Sequence, residues 1–303
     1  MPVLKALEAI RFPAGDTLFS LVTHLGEETI FMVVCLILLW CINKKEGFYL
    51  FAVGMVGTVL NQFMKIVCRV PRPWVLDPEF TIVESARAEA TGYSFPSGHS
   101  QSAVGVFGGI ARWEKHKLLR ILCLLLCLLV PFSRLYLGVH TPQDVLVGAL
   151  SAAVLVLVLY PLFHSGKTAN IRTSFAVMTM LSVGYLLYVQ LATFPADVDA
   201  ANLAHAQENG FKMLGGIIGI WMGWEVDERW LHFPVKAAWW VQILKVALGL
   251  VVVLAVQTLL KKPLRAIMPT GVADMVRYLL LAVAGTLLWP MTFSWFAKLG
   301  KKN

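Results

Sequence analysis

Three short clusters in this chain carry the side chains best suited to chemistry. They are Lys65 with Arg72-Pro73, then Pro96-Ser97-Gly98-His99, then Ser133-Arg134 with His140 and Asp144. Together they supply cations, two histidines, a carboxylate and a Gly-containing turn, an inventory that suits holding a phosphoryl group and attacking it without a metal. Arg72 is pinned between Pro71 and Pro73. A rigid backbone there fixes a planar fork of N–H donors, and such forks bind phosphate oxygens in pairs. Ser97 reads as an N-cap, with Gly98 and His99 opening the helix. The first amides of a helix have no internal partners and attract anions, and Gly98 leaves room for an oxyanion to approach. Thr141 reads as the next N-cap and Pro142 as the first helical residue, which puts Asp144 in the first turn within reach of the His140 ring. A carboxylate that takes the Nδ1 proton of a histidine fixes its tautomer and leaves the other nitrogen free as a nucleophile.

Plainer readings cover part of this set. A lysine at a helix C-terminus such as Lys65 favours the helix dipole and snorkels to headgroups. Ser97 and Gly98 suit an ordinary helix cap, and Asp144 suits a capping box. The His140/Asp144 spacing also admits a metal pair, but no third ligand of convincing spacing accompanies it. Arg72 between prolines and His99 at the head of an apolar helix are not covered by these readings.

The elements that must position the clusters are hydrophobic. The chain is 58% hydrophobic and 15% charged, with a mean hydropathy of +0.70, outside the usual range of soluble domains. A bilayer core takes about 20 mostly apolar residues per helix. Spans are read near 29–43, 48–66, 100–113, 118–136, 144–163, 173–192, 211–224, 239–260 and 276–295. The expected fold is an all-α polytopic transmembrane bundle of eight or nine spans, a six-helix core with C-terminal helices. Each chemical cluster lies at the end of a span. His99 is then an ionisable group at the membrane edge, where such groups are functional candidates.

Residues 1–28 lack the apolar run and cleavage site of a signal peptide. Val3, Leu4, Leu7 and Ile10 fall on one helical face, so this segment is expected to be an amphipathic interfacial helix. The net charge of +8 would suggest nucleic acid in a soluble protein, but here the cations sit in short loops and report topology. Lys44 and Lys45, Arg112 to Arg120, Lys167 with Arg172, and Lys298, Lys301 and Lys302 share one side, expected to be cytoplasmic. The 193–210 loop, with Asp197, Asp199 and Glu208, lies opposite, and so do the three clusters. Lys261, Lys262 and Arg265 break the pattern. Cys35, Cys41, Cys68, Cys123 and Cys127 follow no zinc or disulfide spacing.

The three clusters, in this order, resemble the tripartite signature of the phosphatidic acid phosphatase type 2 superfamily, and the pattern with Gly92-Tyr93-Ser94-Phe95 looks most like bacterial members. The superfamily includes membrane lipid phosphatases, undecaprenyl diphosphate phosphatases, sphingosine phosphate phosphatases, glucose-6-phosphatase and soluble vanadium haloperoxidases. The resemblance implies a phosphatase core over 29–192, a C-terminal transmembrane extension over 193–303, and a metal-independent phosphohydrolase with no cofactor. It also implies roles: His140 the nucleophile that forms a phosphohistidine, Asp144 its orienting carboxylate, and His99 the general acid. Lys65, Arg72, Ser97, Gly98 and Arg134 would bind the phosphate.

The expected function is therefore hydrolysis of a lipid phosphate, a phosphomonoester or diphosphate, at the extracytoplasmic face of the cell membrane. The expected partners are a lipid phosphate and the bilayer, with no nucleic acid. A sugar phosphatase resembling glucose-6-phosphatase is the second enzymatic reading, and a non-catalytic lipid-phosphate transporter is the non-enzymatic one. In the extension, Gly215, Gly219 and Gly223 at intervals of four predict close helix contact. Glu225, Asp227, Glu228 and Arg229 read as a solvated helix end, and Lys245 inside an apolar span is unexplained.

Overall fold

The computed structural model describes residues 1–299, so Lys301 and Lys302 of the C-terminal basic cluster lie outside the described residues. The described residues are helices and connections, with no strand. Six helices are long and apolar enough to cross a membrane: Lys44–Leu76, Lys117–Tyr136, Pro142–His164, Thr168–Leu191, Trp239–Ile267 and Thr270–Phe296. A seventh arises if the bent pair Pro13–His24 and Glu28–Ile42 is one span. Two of the stretches read as spans from sequence, 100–113 and 211–224, are not among these helices. The 100–113 stretch is helical from Gly98 to Trp113, with Gly98–Ala103 and Gly109–Trp113 joined by a π turn, and it packs along the helix Lys117–Tyr136. The 211–224 stretch belongs to the helix Ala200–Val226, whose Glu208, Lys212 and Glu225 dilute its apolar content.

The chain divides into two compact units. The first holds residues 1–32, 56–161 and 195–202, and all the candidate site residues fall in it. The helix Lys117–Tyr136 shows its packing logic. Its leucines face outward (Leu128 is 68% exposed), while Cys123, Val130, Ser133, Arg134 and Tyr136 are buried. Lipid is as apolar as leucine, so small and polar side chains turn to the interior.

In this unit the N-terminal helices Pro2–Ala9 and Pro13–His24 are fastened to the loop that precedes the second cluster. Lys5 pairs with Asp77 at 2.8 Å, and Glu8 accepts from the Thr81 amide at 2.8 Å. Arg11 donates to the Thr81 and Tyr136 carbonyls, both at 2.8 Å. Ser20 meets Ser85 at 2.9 Å. Leu4 packs with Phe80, Ile82, Tyr136 and Val139, whereas Val3 and Ile10 of the same predicted face stay exposed.

The second unit holds residues 33–55, 162–194 and 203–299 of the described chain. The glycine ladder behaves as the spacing predicts. A Cβ on Gly219 would meet the Leu279 carbonyl oxygen at 2.6 Å, and one on Gly215 or Gly223 would strike Met275 or Thr286. The helix Ala200–Val226 therefore lies backbone to backbone against Thr270–Val283. Lys245 is buried, donates to the Val235 carbonyl at 3.0 Å and sits 4.3 Å over the Phe293 ring, which accounts for a cation in an apolar span.

The reading of 225–229 as a solvated end holds for Glu228 and Arg229, which are exposed, but not for Asp227. Asp227 is buried, pairs with Lys44 at 2.7 Å and accepts from the Phe233 amide. Glu225 takes Arg172 at 2.9 Å. Arg265, which broke the charge pattern, is neutralised by Asp274 at 2.5 Å and Glu208 at 3.0 Å.

Candidate active site

Lys65 lies in the last turn of the helix Lys44–Cys68. The helix stops because Arg69 takes a left-handed φ of 49° and Pro71 and Pro73 follow. Lys65 Nζ donates to the Tyr93 carbonyl at 2.6 Å. Arg72 is buried, with its fork spread over three carbonyls: Thr91 at 2.6 Å, Gly92 at 3.0 Å and Val139 at 3.0 Å. The first cluster thereby ties together the approaches to the second and the third.

Ser97 caps its helix, its Oγ accepting from the Ser100 amide at 3.3 Å and the Ser100 hydroxyl at 2.9 Å. Its amide donates to the Asp144 carbonyl at 2.9 Å. Gly148 faces the same turn, where any Cβ would strike the Ser97 carbonyl, so the helix carrying Asp144 packs directly on the cap. Gly98 is different. The nearest atom to a Cβ there would be Asn61 Oδ1 at 3.9 Å, so its backbone is approachable.

Arg134 is fully buried near the end of its helix, with one terminal nitrogen on Thr23 Oγ1 at 2.7 Å. Gly138, at φ 80°, makes the turn to His140. Thr141 and Asp144 then form the reciprocal cap: the Thr141 amide donates to Asp144 Oδ2 at 2.7 Å and the Asp144 amide to Thr141 Oγ1 at 3.3 Å.

His140 sits at the meeting point. Its Nε2 is 2.9 Å from a terminal nitrogen of Arg72. A guanidinium only donates, so Nε2 carries the lone pair and Nδ1 the proton. That proton points at Ser94 Oγ, 3.3 Å away, and Asp144 Oδ2, 3.5 Å away. Ser94 donates in turn to Asp144 Oδ2 at 2.5 Å. The tautomer is therefore locked by contacts on both ring nitrogens. Burial, followed by the charges of Arg72, Arg134, Lys65 and His99, pushes His140 well below the usual histidine range. The ring is neutral, as a nitrogen nucleophile must be.

All eight residues singled out from sequence thus belong to one unit, and Lys65, Arg72, Arg134 and His99 all act electrostatically on His140. Two buried atoms here, His99 Nε2 and Arg134 Nε, have no hydrogen-bond partner. Native proteins pair such groups, and an oxyanion accepting from both would satisfy them. Sequence reasoning noted Ser94 only within the Gly92-Tyr93-Ser94-Phe95 pattern, with no role, and passed over Thr23, a helical threonine that no spacing rule marks. In the loop between the first two clusters, Glu84 and Arg87 pair with each other at 2.7 Å, and Arg87 lies 5.2 Å over Trp74. Ser94→Ala is expected to lower kcat about tenfold and leave KM unchanged, the cost of removing one hydrogen bond to a buried carboxylate; steady-state kinetics on the purified chain test it.

The fold and the site define a polytopic helical membrane protein with a cation-lined, neutral histidine centre. The profile of the PAP2 superfamily matches residues 45–167, and that of the PAP2 superfamily phosphatase transmembrane extension matches residues 211–302. The chain belongs to the PAP2 superfamily. It is 26% identical over 266 residues to sphingosine-1-phosphate phosphatase 1 of Mus musculus, covering 81% of this chain and 59% of that protein. It is 32% identical over 114 residues to undecaprenyl-diphosphatase BcrC of Bacillus subtilis, covering 38% and 55%. Phosphatidylglycerophosphatase B of the same organism is 29% identical over 172 residues, covering 52% and 79%. The chain spans about three fifths of the length of the sphingosine-1-phosphate phosphatases it matches. No solved structure matches it significantly.

Proposed function

We propose that this chain is an integral membrane lipid phosphate phosphatase working through a phosphohistidine. The observation that carries the reading is the alignment of Arg72, His140, Ser94 and Asp144, which leaves one ring nitrogen basic and aimed at the cations. Phosphate oxygens take Lys65, Arg72, Arg134, the Gly98 amide and the Ser97 hydroxyl, whose oxygen already accepts two bonds and whose hydrogen remains to donate. As an oxygen draws Arg72 away from Nε2, the lone pair is released. The N–P bond forms, the ester P–O bond breaks, and His99 gives its proton to the leaving oxygen. Water then attacks phosphorus, the P–N bond breaks, and the water proton returns to His99. Positioning and charge stabilisation supply most of the rate.

The relatives are named for sphingosine phosphate, undecaprenyl diphosphate and phosphatidylglycerophosphate, which supports a lipid phosphate or diphosphate as substrate. The reading keeps residues 29–192 as the catalytic core, 1–28 as an interfacial segment and 193–303 as the extension. It places the site on the extracytoplasmic side of the cell membrane, opposite the basic loops at 44–45, 112–120 and 167–172.

The test is phosphate release by the full chain in detergent with EDTA. The panel is sphingosine 1-phosphate, phosphatidate, phosphatidylglycerol phosphate, undecaprenyl diphosphate and glucose 6-phosphate. Lipid substrates are expected to turn over fastest, and equal turnover of glucose 6-phosphate would replace the lipid reading with the sugar one. Gly98→Ala is expected to fold normally, given the space around it, yet to raise KM roughly tenfold by crowding the amide that holds the anion.

A further inference from the structure

Glu89 lies in the loop before the second cluster, in the same unit as the site. Its Oε2 is 3.7 Å from His99 Nε2, the buried atom without a hydrogen-bond partner. Its Oε1 is 3.4 Å from Nδ1 of His24, which is in turn hydrogen-bonded to Glu27. Exposure rises along this row, with side-chain values of 17% at His99, 34% at Glu89 and 51% at His24. The His24, Glu27 and Glu89 ligand atoms lie within 4.8 Å of one another, but His24 Nδ1 is already engaged by Glu27, and the group reads as a chain of ion pairs.

The charges that act most strongly on His99 are positive or ionisable to positive. Arg134 faces it from the helix Lys117–Tyr136, Arg72 from the Pro-Arg-Pro turn and Lys65 from the helix Lys44–Cys68. His24 acts from the helix Pro13–His24, and His140 couples to it from the 137–141 turn. Burial and these cations favour the neutral ring. A bound phosphate dianion offsets the cations, and Glu89, 3.7 Å from Nε2, is a carboxylate placed to favour a proton on His99.

We propose that Glu89 is the positioning residue that keeps His99 protonated in the substrate complex, so that it can serve as the general acid. This rests on the phosphohistidine reading above. Glu89 exchanges no proton in the step. His99 loses one to the leaving oxygen and regains one from water, while the carboxylate stabilises the imidazolium between the two. An opposite charge at such range raises a histidine pKa by roughly one unit or more.

The test compares wild type with Glu89→Gln, Glu89→Asp and His24→Gln in EDTA-containing buffer, using an alkyl substrate, sphingosine 1-phosphate, and an aryl substrate, p-nitrophenyl phosphate. Alkoxide departure needs a proton and aryl oxide departure hardly does. For Glu89→Gln, the basic limb of the kcat profile on the alkyl substrate is expected to move about one unit toward acid. The alkyl kcat at neutral pH then falls about tenfold, with aryl turnover within about twofold of wild type. Glu89→Asp keeps the charge and is expected to hold the limb near its wild-type position. His24→Gln removes the competing partner and is expected to leave the limb in place or move it upward, a second check at an exposed position.

Equal loss on both substrates, an unmoved limb in Glu89→Gln, or a downward shift in His24→Gln would overturn the proposal. If His140→Ala retained full phosphate release, the reading beneath it would fail instead, and the two failures are distinguishable.

Discussion

Replacing His140 with alanine is expected to lower phosphate release from lipid phosphates roughly 10⁴–10⁶-fold, the usual scale for losing a nucleophile from a site that works as a unit. The reason is local. Lys65, Arg134, Ser97 and Gly98 remain, and Arg72 still holds the carbonyls of Thr91, Gly92 and Val139. Substrate binding should therefore survive while covalent transfer cannot occur. The measurement is twofold: KM or inhibitor affinity for the variant, and rapid quench of the wild type with radiolabelled substrate. An acid-labile, base-stable label is expected on the wild type and none on His140→Ala. A label of the same lability on the variant would sink the assignment.

Arg72→Lys conserves charge and is nonetheless expected to cost about 10²–10³-fold in kcat. A lysine ammonium cannot span the three carbonyls and Nε2 of His140 that the planar fork engages together. It would also leave buried carbonyls without donors, at about 1–3 kcal/mol each. A lowered Tm should therefore accompany the lost rate. A lysine variant with wild-type Tm and wild-type kcat would show that charge alone is needed there.

The sequence made the chemistry more legible than the architecture. His140, Asp144 and Thr141 stand at spacings that a helix start fixes locally, so their reciprocal cap was readable before any coordinates. The glycine ladder at 215, 219 and 223 was readable for the same reason, since a period of four is a helix property. Ser94, Thr23 and Glu89 were not readable, because each acts on a residue 46, 111 or 10 positions away through a loop or a helix pair. Span boundaries are less legible from hydropathy. Gly98–Trp113 is apolar but interrupted by a π turn, and Ala200–Val226 carries Glu208, Lys212 and Glu225 around an apolar stretch. Asp227 was misread because its partner, Lys44, lies far off along the chain.

The guanidinium seated on His140 Nε2 has a consequence for inhibitor design. In the resting protein the reactive lone pair is capped, so a neutral electrophile meets no free nitrogen. An anionic warhead, by contrast, recruits Arg72 to itself and uncovers the atom it is meant to modify. Covalent ligands for this centre are thus expected to require a phosphate-like charge before they react at all, and vanadate, by occupying that position reversibly, should shield the histidine from them.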